Sequence, residues 1–239
     1  MTKPTPIITP APLSLWQRIS EALSALANGE GLEAVFDKLR AEPMQTVAFT
    51  IAVIALGAKM AKADGIVTRD EVSVFRQIFQ IAPEDEAQAA RVFNLARQDV
   101  AGFESYAAKI AEMFEDKHDT LVDLLEGLFH IAVADGHYHE AENDFLKYVA
   151  TTFGLDAREF ATLRARFVPD APHDPYEVLG ASPDMTADEL RTCWKALIRE
   201  NHPDRLAARG VPPEAIKLAE DRLVKINEAW DQITKSEPA

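Results

Sequence analysis

The amino-acid sequence predicts an all-α protein, a helical bundle followed by a small helical hairpin. Three observations carry that expectation. Apolar residues recur every three or four positions between Pro and Gly breaks. The stretches TRDE, Thr68 to Glu71, and TADE, Thr186 to Glu189, have the capping-box pattern ahead of an apolar helical stripe. Few segments alternate β-branched or aromatic residues with polar ones, as half-buried strands would.

A first helix is expected from about Ser14 to Ala27, with Leu15, Ile19, Leu23 and Leu26 on one stripe and NGEG as its stop. A short helix comes next, from about Leu32 to Leu39, and then a long one from near Gln45 to about Lys62. The long one contains VAFTIAVIALGA, Val47 to Ala58, which is too short for a membrane span and ends at Lys59 and Lys62. It reads as a buried helix. Thr68 and Glu71 then open a helix that carries Val72, Phe75 and Phe79. APEDEAQAARVFNLARQ places Pro83 in a first turn with acids behind it, which suits the positive end of a helix dipole. Further helices are expected at about Phe103 to Glu115, Asp119 to Ala134, Glu140 to Thr152 and Asp156 to Arg166.

FVPDAPHDP, Phe167 to Pro175, has three prolines and little to bury, which marks a domain boundary. The expected organisation is a lead-in over 1–13, a helical domain over 14–168, a linker over 169–174 and a second helical unit over 175–239. The first domain also echoes itself. Ile54 to Phe75 can be laid over Leu124 to Leu146, with Asp64 on Asp135, Gly65 on Gly136 and Glu71 on Glu142.

Composition narrows the function classes. A net charge of -14 over 239 residues argues against holding nucleic acid through a general basic surface. The single cysteine, Cys193, excludes a disulfide framework and any cysteine-based zinc cluster, so a reducing, cytoplasmic location is expected. No signal-peptide run or membrane span is expected. Cys193 beside Trp194 reads as a small core residue, and Trp194 and Trp230 as core aromatics.

In the second unit, Tyr176, Val178 and Leu179 are available for burial from PYEVLG. Thr186 caps the next helix through Glu189, and Leu190, Trp194, Leu197 and Ile198 form its apolar face. Arg191, Lys195 and Arg199 lie four apart and make a separate cationic stripe. Pro203 bars His202 from α geometry and ends that helix. A last long helix from around Pro213 presents Ile216, Leu223, Ile226, Trp230 and Ile233. The His202-Pro203-Asp204 turn is thereby left at one tip.

Asp174 to about Ile233 resembles the J domain of the DnaJ, or Hsp40, family. DPYEVLG resembles its first helix, ADELRTCWKALIRENHPD its second helix and signature tripeptide, and VKINEAWDQI its third helix. The resemblance implies that His202, Pro203 and Asp204 engage and stimulate an Hsp70 (DnaK-like) partner, with Arg191, Lys195, Arg199 and Arg205 as a cationic docking surface. It implies no active site of its own. Arg205 stands where Lys is frequent in the family, and the stretch RLAARGVPPEAIKLA reads as a long loop. That loop and the C-terminal placement resemble the membrane-anchored DjlA branch, although no anchor, Gly/Phe-rich linker or cysteine-rich zinc domain is expected here.

AKADGIVTRDEV and AVADGHYHEAEN resemble the TerB, or tellurite-resistance-associated, helical domain over about Gln45 to Phe160. That resemblance implies a module that engages a client, an assembly or an ion. Asp64, Glu71, Asp135 and Glu142 could converge on Mg or Ca, with His137 or His139 added for a transition metal. The same residues could instead cap helices and close turns. The expected function is therefore an Hsp70 co-chaperone that binds a client protein and requires no cofactor, with a divalent cation in the first domain left open. The alternatives are a structural or metal-responsive adaptor, or a metal-assisted hydrolase.

Overall fold

The computed structural model describes residues 14–23, 45–63, 79, 81–98, 102–134, 136–168 and 174–236. Every regular element among them is helical. The helix expected over Leu32 to Leu39, and Thr68, Glu71, Val72 and Phe75 of the next, lie outside the described residues.

The first helix, α1, spans Leu15–Leu23. Leu15, Trp16 and Ile19 are buried, and the Trp16 ring meets Phe79 edge-on at 6.1 Å. The next described helix, α2, spans Gln45–Ala63. Its residues from Val47 to Ala58 are all buried, as a helix apolar on every side must be. Lys59 does not mark the solvent boundary that its charge suggested. It is 7% exposed and lies over the Tyr106 ring, 5.2 Å from the centroid, where the aromatic face compensates the cation.

Around α2 pack α3 (Glu86–Gln98), α4 (Phe103–Met113), α5 (His118–Ala132) and α6 (Glu140–Thr152), while α7 (Ala157–Phe167) packs against α5. A short 3-10 turn, Pro83–Asp85, leads into α3. Helices α2 and α5 approach closely because both carry glycine at the contact. A Cβ on Gly57 would sit 2.7 Å from Ile131 Cδ1, and one on Gly127 would sit 3.4 Å from Val53 Cγ2. Gly154, at φ 81, closes α6 in the left-handed region, and Asp156 caps α7 by accepting the Glu159 amide at 2.8 Å.

The second unit contains α8 (Pro175–Leu179), α9 (Ala187–Glu200), α10 (Pro203–Ala208) and α11 (Ile216–Ser236). Val178, Leu179, Leu190, Ile226, Ala229 and Ile233 form its small core together with Ala165 of α7. The Trp194 and Trp230 rings stack 5.0 Å apart against that core, and Trp194 Nε1 donates to Asn227 Oδ1 at 3.1 Å. Cys193 is half-buried and its thiol pKa is raised by burial.

The expected long loop after Asp204 is mostly helical, because Pro203 starts α10 as readily as it stops α9. From Leu206 to Ala219 the chain leaves the small core. Leu206, Val211, Ala215, Leu218 and Ala219 are buried in the core of the first domain. No described helix is long and apolar enough to cross a membrane.

Candidate functional site

Helix α9 carries the cationic stripe. Thr186 accepts the Glu189 amide at 3.3 Å, and the Glu189 carboxylate accepts the Thr186 amide and hydroxyl, each at 2.8 Å, two bonds that hold its pKa below the ordinary value. Leu190, Trp194, Leu197 and Ile198 turn towards the small core, which leaves Arg191, Lys195 and Arg199 exposed on the other face. Arg199 shares its charge with its neighbour Glu200 at 3.7 Å, an exposed contact of small energetic weight.

At the end of α9 the Asn201 amide and its side-chain Nδ2 both donate to the Leu197 carbonyl, at 3.0 and 2.7 Å. His202 is then extended, at φ -67 and ψ 136, as the residue before proline must be. Its Nδ1 accepts the Asp204 amide at 3.2 Å, so the ring caps α10 and keeps Nε2 as the outward nitrogen. The Asp204 carboxylate lies 3.5 Å from the same Nδ1, and its side chain is 93% exposed. His202, Asp204 and Arg205 are exposed, and Pro203 between them is half-buried. The seven residues expected to form a docking surface thus lie on one helix and the tip at its end.

Beneath that tip lies a group of buried charges that the sequence reading did not single out. Asp123 and Glu126 of α5 are 1% and 0% exposed, and Arg222 of α11 is 3% exposed. Arg222 Nη2 donates to Asp123 Oδ1 at 2.9 Å and also contacts the Glu126 carboxylate. Its Nη1 donates to Asn201 Oδ1. Arg209 adds a second cation, 3.5 Å from Asp123 and 3.3 Å from Asp119, and its carbonyl accepts the Thr120 hydroxyl at 3.1 Å. Arg166 of α7 lies 3.9 Å from Glu126 and donates through Nε to the Val178 carbonyl at 2.9 Å.

Burial raises the Asp123 pKa, and the nearby Arg222 and Arg209 charges oppose that rise. Burial lowers the Arg166 pKa to about 10. Buried charges of this kind survive only when paired, and removing one partner typically costs ~3–5 kcal/mol. The visible signal was two carboxylates three apart inside the apolar run LVDLLEGLFHIA, Leu121 to Ala132. The partner, Arg222, is 99 residues further along.

Of the proposed metal ligands, Asp64, Glu71 and Asp135 lie outside the described residues. Glu142 accepts the His139 amide at 2.8 Å, a helix-capping bond. His137 and His139 are exposed, with ring centroids 6.2 Å apart. Among the described residues, no group of three or more His, Cys, Asp or Glu is placed to hold a metal ion.

Comparison with known proteins matches both halves of the chain. Residues 50–165 match the family model described as tellurite resistance protein TerB, and residues 174–238 match that of the DnaJ domain. Similar relatives carry the name co-chaperone protein DjlA. The one from Photobacterium profundum is 29% identical over 213 residues, covering 78% of this chain and 77% of its own. That from Coxiella burnetii is 28% identical over 218 residues, covering 82% and 80%. No solved structure matches the chain significantly.

Proposed function

The chain carries a TerB domain followed by a DnaJ domain, and from that premise we propose that it is a co-chaperone of an Hsp70 partner of the DnaK type. The observation that carries the proposal is the exposed His202-Pro203-Asp204 tip at the end of an exposed Arg191, Lys195, Arg199 stripe. Complementary charge on the partner is drawn to that stripe and fixes the orientation of encounter. Arg205 extends the same surface past the tip. His202 Nε2 and the Asp204 carboxylate then supply polar contacts from a turn whose backbone Pro203 restricts.

The chemistry belongs to the partner. Water attacks the γ-phosphate of ATP in the Hsp70 nucleotide site, and the co-chaperone lowers that barrier by the conformation it favours. The chain supplies no group to the reacting atoms. Its TerB domain brings a client protein, an assembly or a location to the same complex.

Single-turnover ATP hydrolysis by the cognate Hsp70 tests this. The intact chain accelerates hydrolysis, and His202→Gln and Asp204→Asn lose that acceleration while remaining folded. A folded intact chain that leaves the rate unchanged contradicts the proposal.

A further inference from the structure

The His-Pro-Asp tip is fastened on both sides by the other domain. Upstream, the buried Asn201 accepts from Arg222, which is held by Asp123 and Glu126 of α5. Downstream, Leu206 and Val211 are 2% and 3% exposed within the TerB core, and Arg209 is tied to Thr120, Asp119 and Asp123. Only residues 202–205 stand between these two anchors. Gly210, at φ 93, lets the chain turn sharply enough for Val211 to donate back to the Leu206 carbonyl at 3.1 Å.

From this geometry we infer that Asn201 and Asp123 are positioning residues for the co-chaperone reaction, with the TerB domain setting the pose of His202, Pro203 and Asp204 through Arg222. Asp123 is buried, so it cannot touch an Hsp70, and Asn201 is 5% exposed. Their influence passes through Arg222 and the backbone on either side of the tip. The alternative, a J domain tethered as a free bead, would leave the tip indifferent to any change in α5. The inference rests on the co-chaperone reading and adds a role for the domain that does not carry the tip.

The pose and the charge stripe make separable contributions. The stripe governs encounter, and so the concentration of co-chaperone that half-saturates the effect. The pose governs the hydrolysis rate at saturation, where a displacement of an ångström can cost up to ~100-fold.

Single-turnover hydrolysis by the cognate Hsp70, titrated with the full-length chain and its variants, separates the two. Asn201→Ala and Asp123→Asn lower the saturating rate ~10-fold while changing the half-saturating concentration less than about threefold. Asn201→Asp keeps an acceptor for Arg222 but loses the Nδ2 donor to the Leu197 carbonyl, and restores part of the rate. In the same proteins without Hsp70, the backbone amide resonances of His202 and Asp204 shift in Asp123→Asn. Should Asp123→Asn not fold, the loss in Asn201→Ala and its partial rescue in Asn201→Asp carry the test.

Variants that are folded and match the intact chain in saturating rate overturn the inference and leave the co-chaperone reading standing. No acceleration by the intact chain overturns both.

Discussion

The two halves of α11 serve different cores. Its first half places Leu218 and Ala219 in the TerB core and Arg222 among the acids of α5, whereas its second half places Ile226, Ala229 and Ile233 in the small J core. A single helix therefore passes through both domains. Rotating or sliding it to favour one core would disturb the other, because side chains four residues apart share a face. The difference between the halves teaches that an apparent linker in sequence need not separate two bodies in space.

The largest expected effect comes from breaking the first half at its charges. Asp123→Ala deprives the buried Arg222 and the half-buried Arg209 of a shared carboxylate and destabilises the whole chain by ~3–5 kcal/mol, read from urea unfolding. A destabilisation confined to the J hairpin would contradict the shared-helix description.

The pH dependence sharpens the same comparison from the TerB side. His130 lies near the seam, with its ring 4.6 Å from Phe167, and burial, then the Lys217 charge on α11, lowers its pKa to about 4. In the unfolded chain the ring titrates near ~6.5. Between these values the unfolded state binds a proton that the folded state does not. The contribution is thus fully present above ~6.5 and is lost as pH falls towards 4, by about 3 kcal/mol in total. Urea midpoints measured between pH 7 and pH 4 show this decline, and His130→Gln flattens it.

A smaller effect separates ordinary local stability from the seam. Asp156→Ala removes the cap of α7 and costs ~1 kcal/mol in thermal or urea unfolding, with the saturating Hsp70 rate unchanged. Smallest in stability is Lys195→Glu on the exposed stripe, within about 0.5 kcal/mol of the intact chain. Its effect falls on association with Hsp70, which slows and depends less steeply on salt.

Much of this architecture was legible because its causes are local. Glu140–Thr152 begins and ends where its cap and periodicity place it, and Thr186 with Glu189 announces α9. The exposed His-Pro-Asp tip was legible because a tripeptide, a helix stop and a charge stripe occupy one short segment. The seam was not, because its causes are distant in sequence. Nothing local in EDRLVKI says that Arg222 finds Asp123, and Leu206 and Val211 sit in a stretch that looks like a polar loop. Glu142 shows the opposite difficulty, since one carboxylate at a helix start fits both a cap and a metal shell until its amide partner is located.

The shared helix is tested most directly by native-state hydrogen exchange of the full chain in rising urea. With one helix in both cores, the amides of Leu218 to Arg222 in α11 and Leu124 to Leu128 in α5 exchange through one common opening, with the same free energy and the same urea dependence. Exchange of the α11 amides through a separate, easier opening while α5 stays closed would contradict it.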